Sequence, residues 1–186
     1  MAEYIYFVAS LPSVWMDKEA PLSYEEFMAK AKEQLSKKDY AELAKATFSH
    51  EEGKASSKIV QDWDKFNFRL KELLTEVRAK KLGFGDDPKY KAKSERDSEL
   101  EKKASRIVSL QNPLEAESAI LALYFDFLYS HEVSSPFSLD ALIIYGLKLQ
   151  IKEKVKAFEK EKGEAEFNRL YSDIQKEIST RSEYGI

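Results

Sequence analysis

Apolar positions along most of this chain recur every three or four residues, the spacing that gathers side chains on one face of an α-helix. Ser23 followed by Glu26 marks the first clear helix start, because the serine hydroxyl can accept from the Glu26 amide while the carboxylate reaches back to the serine amide. Tyr24, Phe27, Ala31 and Leu35 then share a stripe. Ser36 and Asp39 repeat the start signal ahead of a second short amphipathic stretch, Tyr40, Leu43, Ala44 and Phe48, and His50–Ser57 reads as a linker. From Ser57 onward Ile59, Val60, Trp63, Phe66, Leu70, Leu73, Leu74 and Val77 predict a helix of about six turns, charged on its opposite face and ending near Gly83.

The strongest turn cluster is Gly83-Phe84-Gly85-Asp86-Asp87-Pro88, where the two halves of the chain meet. Ser94 with Asp97 can restart a helix through Leu100, Ala104, Ile107, Val108 and Leu110. At Asn112-Pro113-Leu114-Glu115 three signals agree on a new start: an asparagine cap, a proline with no N–H to lose in the first turn, and a carboxylate at the positive end of the dipole. Ala116–Tyr129 is the most apolar stretch. After the loop His131–Phe137, Ser138 caps a helix carrying Leu139, Leu142, Ile143, Ile144, Leu147, Leu149 and Ile151 on all sides, and a helix apolar all round must be enclosed by others. Gly146 inside it costs about 0.5–1 kcal/mol relative to alanine, so close approach of another helix is its expected reason. Beyond Gln150 the pattern thins to one stripe, Ile151, Val155 and Phe158, continued by Phe167, Leu170, Ile174 and Ile178 past Gly163. Tyr4–Leu11 is rich in β-formers but too short for periodicity to settle, and is expected as a buried extended segment or a short helix.

The expected fold class is therefore all-α, a multi-helix bundle with a long amphipathic C-terminal helix. Its organisation is an N-terminal helical half (1–82), a linker loop (83–93) and a C-terminal helical half (94–186), together one compact domain. Composition agrees. Six glycines and five prolines in 186 residues are about half the usual share, whereas charged residues reach 34% and hydrophobic residues 43%, so turn-rich β folds and disorder both recede. The charge of −3 disfavours a nucleic-acid binder working through a basic surface. Absence of cysteine removes disulfides and thiolate chemistry and suits a reducing cytoplasm. The start Met1-Ala2-Glu3-Tyr4 lacks the basic region of a signal peptide. The longest apolar runs, Ala119–Phe125 and Ala141–Leu147, have seven residues each, against the roughly 20 that a membrane crossing needs. A cytoplasmic protein, at most peripheral at the membrane, is expected.

No catalytic constellation is legible. Gly83-Phe84-Gly85 runs into two aspartates and a proline and lacks the third glycine and the lysine of a phosphate loop. His50 and His131 lack the partner histidine four residues on that a zinc protease uses, and both read as surface-loop residues. Glu115 and Glu117 point in different directions, the first serving the cap, and Asp62 and Asp64 are separated by about 200° of helical rotation. No cofactor or metal is expected. Between Arg78 and Lys93 six cations face only Asp86 and Asp87, which reads either as a surface for an anionic partner, aided by Phe84 and Tyr90, or as a solvated helix end. Trp15, Phe84 and Phe137 beside loops read either as docking points or as ordinary exposed hydrophobes.

Two blocks carry a resemblance. Tyr4-Ile5-Tyr6-Phe7-Val8-Ala9-Ser10-Leu11-Pro12, then Pro21-Leu22-Ser23 and Glu26-Phe27, resembles the start of a bacterial family encoded together with V/A-type ATPase subunits. Asn112-Pro113-Leu114-Glu115-Ala116-Glu117, Leu123-Tyr124, Asp126-Phe127-Leu128, and Phe137 leading to Leu142-Ile143-Ile144-Tyr145 and Lys148-Leu149-Gln150 look like that family's second block. The Asn-Pro-Leu-Glu helix followed by a tyrosine-rich apolar helix is also similar to the repeated unit of the C/d subunit, the helical socket between rotor shaft and membrane ring, although this chain is much shorter than that three-unit protein. The resemblance implies a non-catalytic ATPase component, a shortened socket whose partners are the central-shaft and membrane-ring subunits, with hydrolysis done by other chains. The competing readings are an assembly chaperone and a helical adaptor. On the socket reading the helix starts at Ser23, Asn112 with Glu115, and Ser138 beside Phe137 would face a basic shaft, and the Gly83–Tyr90 loop, with Phe84 and Tyr90, would meet another subunit. The plainer reading of those helix starts is that they are caps.

Overall fold

The computed structural model describes residues 4–48, 56–93, 97–131 and 136–158, and among them every regular element is helical. The capping signals set the boundaries. The Glu26 amide donates to Ser23 Oγ at 3.1 Å and the Ser23 amide to Glu26 Oε2 at 2.9 Å, starting α2 (Tyr24–Gln34). The Ser23 amide first, and then the Ser23 hydroxyl at 3.1 Å, donate to the Glu26 carboxylate and hold it below its ordinary range. Ser36 accepts from the Asp39 amide and starts α3 (Lys37–Lys45). The long helix α4 (Lys58–Lys81) closes as its sequence predicts: Gly83 takes a positive φ of 86°, the Phe84 amide reaches Ala79 O at 2.8 Å and the Gly83 amide reaches Lys80 O at 3.2 Å. Those two bonds satisfy carbonyls that the helix end would otherwise strand.

A 3₁₀ turn at Pro88–Tyr90, capped by Asp87, leads toward α5 (Ser98–Ser109), whose cap is Asp97; Ser94 lies outside the described residues. Asn112 accepts from the Leu114 amide at 3.0 Å to begin α6 (Pro113–Ser130). Ser138 accepts from the Ala141 amide at 3.3 Å at the start of α7, helical through residues 139–158. Tyr4–Leu11 resolves as a helix, α1 (Ile5–Ser10), in which Phe7 is buried while Tyr6 is 92% exposed. Six residues ahead of Pro12 permit little more than one turn, so one side chain enters the core instead of a stripe. The stripe beyond Phe158 and its glycine lie outside the described residues.

Helix α7 is the axle of the bundle. Leu142, Ile143, Leu147, Leu149 and Ile151 are fully buried on different sides of it, as a helix apolar all round requires. A Cβ on Gly146 would stand 3.0 Å from Phe27 Cε1, 3.6 Å from a Tyr24 ring carbon and 3.7 Å from a Leu43 methyl, so the glycine does admit a neighbouring helix. The polar side chains of α7 then do a second job. Tyr145 Oη donates to Pro12 O at 2.9 Å, Lys152 Nζ to Met16 O at 2.8 Å and Gln150 Nε2 to Ala46 O at 2.8 Å, while Glu153 accepts from the Tyr24 amide at 2.8 Å. Each of these backbone groups lies in a loop or at a helix end, where no helical partner exists. Burial raises the Tyr145 hydroxyl to about 12.

Helices α4 and α6 meet through an aromatic cluster. Trp63 sits 5.2 Å from the Phe48 ring, 5.1 Å from Tyr124 and 6.1 Å from Phe127, and Phe66 stacks on Phe127 at 4.3 Å. A polar thread runs through it: Tyr124 Oη donates to Asn67 Oδ1 at 2.6 Å, and Asn67 Nδ2 donates to Phe48 O at 3.4 Å. Desolvation, followed by the charge of Glu117, raises the Tyr124 hydroxyl to about 12. Helix α5 packs along α4, and Lys81 Nζ ties their C-terminal ends by donating to Val108 O at 2.9 Å. Buried side chains from both sides of the 83–93 loop belong to one hydrophobic cluster.

Candidate functional site

The six residues singled out as partner contacts fall into three pairs. Phe84 and Tyr90 come together across the turn with ring centroids 6.4 Å apart, Phe84 57% exposed and Lys89 Nζ 5.5 Å from the Tyr90 ring. Of the cations around them, Lys80 is bound to Glu76 at 2.7 Å and Lys81 to the Val108 carbonyl, so part of this basic stretch serves helix ends. Asn112 and Glu115 meet side chain to side chain at 3.4 Å, so Glu115 touches its cap partner without closing on the cap backbone. Phe137 is 38% exposed and its carbonyl accepts from the Tyr4 amide at 2.9 Å, which fixes the start of α1 beside the start of α7. Trp15 is half exposed.

Ser138 opens onto a polar cleft of about 350 Å³ lined by Tyr4, Asp39, Glu42, Ser57, Lys58 and Asp140. The carboxylates here anchor chain segments. Tyr4 Oη donates to Asp39, and burial, then that carboxylate, raises the tyrosine hydroxyl above its ordinary value. Ser57 Oγ donates to Asp140 Oδ1 at 2.8 Å, and the Ser57 amide donates to Glu42 Oε1 at 2.7 Å. Glu42 is buried where the helical spacing had placed Ala44, which is exposed. Its burial pushes the carboxyl up, but the Ser57 amide, the Lys45 ammonium at 2.9 Å and the Ser56 amide outweigh that and leave it lowered from 4.5.

The consequence is a pH-dependent contribution of definite sign. A lowered folded-state value means that Glu42 stabilises the fold above the ordinary carboxylate range and that this contribution is lost as pH falls through the folded value, below 4.5. E42Q is expected to lower stability by about 1–3 kcal/mol at pH 7, the usual cost of disturbing charge-assisted bonds at a buried group. Urea unfolding of both proteins from pH 7 down to 3 checks it: the two stability curves should converge at the acid end.

A second cleft, of about 640 Å³, runs between the 8–15 segment, the last turns of α6 and the first half of α7. Its described lining is Val8, Leu11, Val14, Trp15, Phe125, Tyr129, Ile144 and Tyr145 among others, together with the charged Lys148. Lys148 is 4% exposed, and its Nζ lies 5.2 Å from the Phe125 ring centroid and 5.6 Å from that of Tyr129. The sequence reading missed this groove. Its one available signal was the pair Lys148 and Lys152, four residues apart inside an otherwise apolar helix and so on one face of it.

Among the described residues no three His, Asp or Glu side chains gather to hold a metal ion. His131 ends α6 half-buried, its Nδ1 2.8 Å from Phe127 O and its ring 4.1 Å from the Phe127 ring; His50 lies outside the described residues. No described helix is long and apolar enough to cross a membrane. No family model, no curated protein and no solved structure matches the chain.

Proposed function

We propose that this protein is a non-catalytic component of a V/A-type ATPase, a shortened C/d-like socket between the central shaft and the membrane ring, with ATP hydrolysis on other chains. The observation that supports the reading is where the second block of the resemblance falls in the fold. The Asn112-Pro113-Leu114-Glu115 start opens α6, and the stretch from Leu142 to Gln150 lies in the buried axle α7, so the residues that carry the resemblance are also ones that organise this bundle. A torque-coupling part needs a rigid helical body, and an axle that bonds the 12–16 loop, α2 and the end of α3 supplies one. The exposed Phe84 and Tyr90 turn and the Phe137–Ser138 junction are the contact surfaces on this reading. Contact with the membrane is through other subunits.

Mixing the purified protein with shaft and ring subunits and following co-elution tests the proposal. A stoichiometric complex that persists in the purified ATPase is the expected result. No association with either component overturns it. The second reading, an assembly chaperone or adaptor, draws on the exposure of Trp15, Phe84 and Phe137 as hydrophobic points suited to brief contacts; association with partly built complexes alone would select it.

A further inference from the structure

We infer that the outward face of α4 between Phe68 and Leu82 is a docking surface for an acidic amphipathic helix of another protein. The inference is independent of the ATPase reading. A solvated helix face is ordinarily polar, but this one sets a large apolar side chain at each end: Phe68 is 58% exposed and Leu82 72%. Phe68, Thr75 and Leu82 follow one another at seven-residue intervals, Lys71 and Arg78 stand three residues after the first two, and all five are exposed. That is the a and d spacing by which one helix lies along another, over a length of about 21 Å. Thr75 Oγ1 donates to Lys71 O at 2.8 Å, so its hydroxyl is satisfied within α4 and does not oppose a dry contact.

Charge complementarity selects the partner. The 88–93 segment runs back along α4, where the Ala92 amide donates to Glu76 Oε2 at 3.0 Å and the Lys93 amide to Glu72 Oε1 at 3.4 Å. Two carboxylates of the helix are thereby turned toward backbone amides, and Glu76 also takes the Lys80 ammonium at 2.7 Å. The cations are turned the other way: Lys71 and Arg78 are exposed within the stripe, and Lys91 and Lys93 are exposed beside it. A partner helix whose apolar positions are flanked by Asp or Glu meets both needs, its apolar side chains against Phe68 and Leu82 and its acids against the four cations. Shape separates this partner from a lipid surface. Asp86 and Asp87 are exposed in the turn that ends α4. An anionic bilayer would press them onto lipid phosphates, whereas a helix about 10 Å across can seat on the stripe and leave them in water.

The probe is a labelled three-heptad peptide with leucine at a and d and glutamate at e and g, and its counterpart carries lysine at e and g. Fluorescence anisotropy with the full chain is run at an ionic strength of about 0.15 M, where exposed charges more than about 8 Å apart are largely screened. Saturable binding of the acidic peptide, and none of the basic one, is expected. K71E/R78E, at two exposed positions, should weaken the acidic peptide about tenfold or more, because like charges then face one another. F68S/L82S should also weaken it about tenfold or more by removing the apolar ends of the stripe. K30E/K37E makes the same change in net charge at exposed positions of α2 and α3 and should leave the affinity within about twofold. Circular dichroism establishes that each variant folds. Absence of saturable binding, equal binding of the two peptides, affinity retained in folded K71E/R78E or F68S/L82S, or an equal loss in K30E/K37E overturns the proposal. Sedimentation with phosphatidylglycerol vesicles should leave the protein in the supernatant; co-sedimentation that K71E/R78E abolishes would place a membrane on this face and overturn the assignment to a protein helix.

Discussion

Trp63→Ala should lower stability by about 3–5 kcal/mol, the range for truncating a large, fully buried aromatic side chain. The site cannot collapse easily. Phe48, just beyond α3, and Tyr124 and Phe127 of α6 stand around the indole at 5.1–6.1 Å, and Phe127 is itself stacked on Phe66. The indole N–H also donates to Thr47 O at 3.3 Å, so the variant strands a carbonyl just beyond the end of α3 as well as opening a void. Against a typical total of about 5–15 kcal/mol, such a loss puts a large unfolded fraction within reach at modest denaturant. Urea unfolding should show a lower midpoint with little change in slope. A loss below about 1.5 kcal/mol would mean that the cluster repacks freely and that α6 is not held to α4 by these rings. Trp63→Phe keeps much of the ring volume and loses the bond to Thr47, so its cost should fall between wild type and alanine.

The helical boundaries were legible because they rest on short-range chemistry. Ser23 with Glu26, Asn112 with Pro113, and Gly83 after the last turn of α4 each act within a few residues, and the structure uses each of them. The centrality of α7 was legible for a different reason: large apolar side chains at Leu142, Ile143, Ile144, Leu147 and Leu149 point to different sides of the helix, and only enclosure accommodates that. What escaped were charges whose partners are far along the chain. Glu42 is buried because the Ser57 amide, fifteen residues on, caps it, and Lys152 because Met16 O lies across the bundle. Helical spacing assigns such residues to water. Tyr4–Leu11 is too short for periodicity to choose between an extended segment and a short helix; Pro12 behind it and the distant Phe137 carbonyl that accepts the Tyr4 amide frame the helix it forms.

The candidate site was legible only as a set of exposed points. Phe84 and Tyr90 are near neighbours in the chain, as are Asn112 and Glu115, so their pairing followed from local turns and caps. The groove needs three segments at once, the loop after α1, the end of α6 and the flank of α7, and none of them carries a motif. Their convergence depends on α1 stopping at Pro12, which sends the 11–16 segment across α7, where Tyr145 and Lys152 hold it by its carbonyls.

Phe27 and Gly146 should behave as one unit, and the double variant is the measurement that exposes it. Phe27→Ala alone should cost about 3–5 kcal/mol, because the ring is fully buried, stacked 6.0 Å from Phe7 and tilted against Tyr145 at 5.2 Å. Gly146→Leu alone should cost about 1–3 kcal/mol or somewhat more: the first added carbon already meets Phe27 Cε1 at 3.0 Å, and the ring has aromatic neighbours on both sides that prevent it from giving way. Combined, the leucine enters the space that the ring vacated. The pair should therefore be at least about 1 kcal/mol more stable than the sum of the single losses predicts, within the range found for residues in contact. Gly146→Ala sets two small effects against each other, a gain of about 1 kcal/mol in helix propensity and a contact that must widen by a few tenths of an ångström, so its net change should be small. Additivity of F27A and G146L to within about 0.5 kcal/mol would show that α2 and α7 do not interlock at this point, and the glycine would then owe its place to something other than the ring it faces.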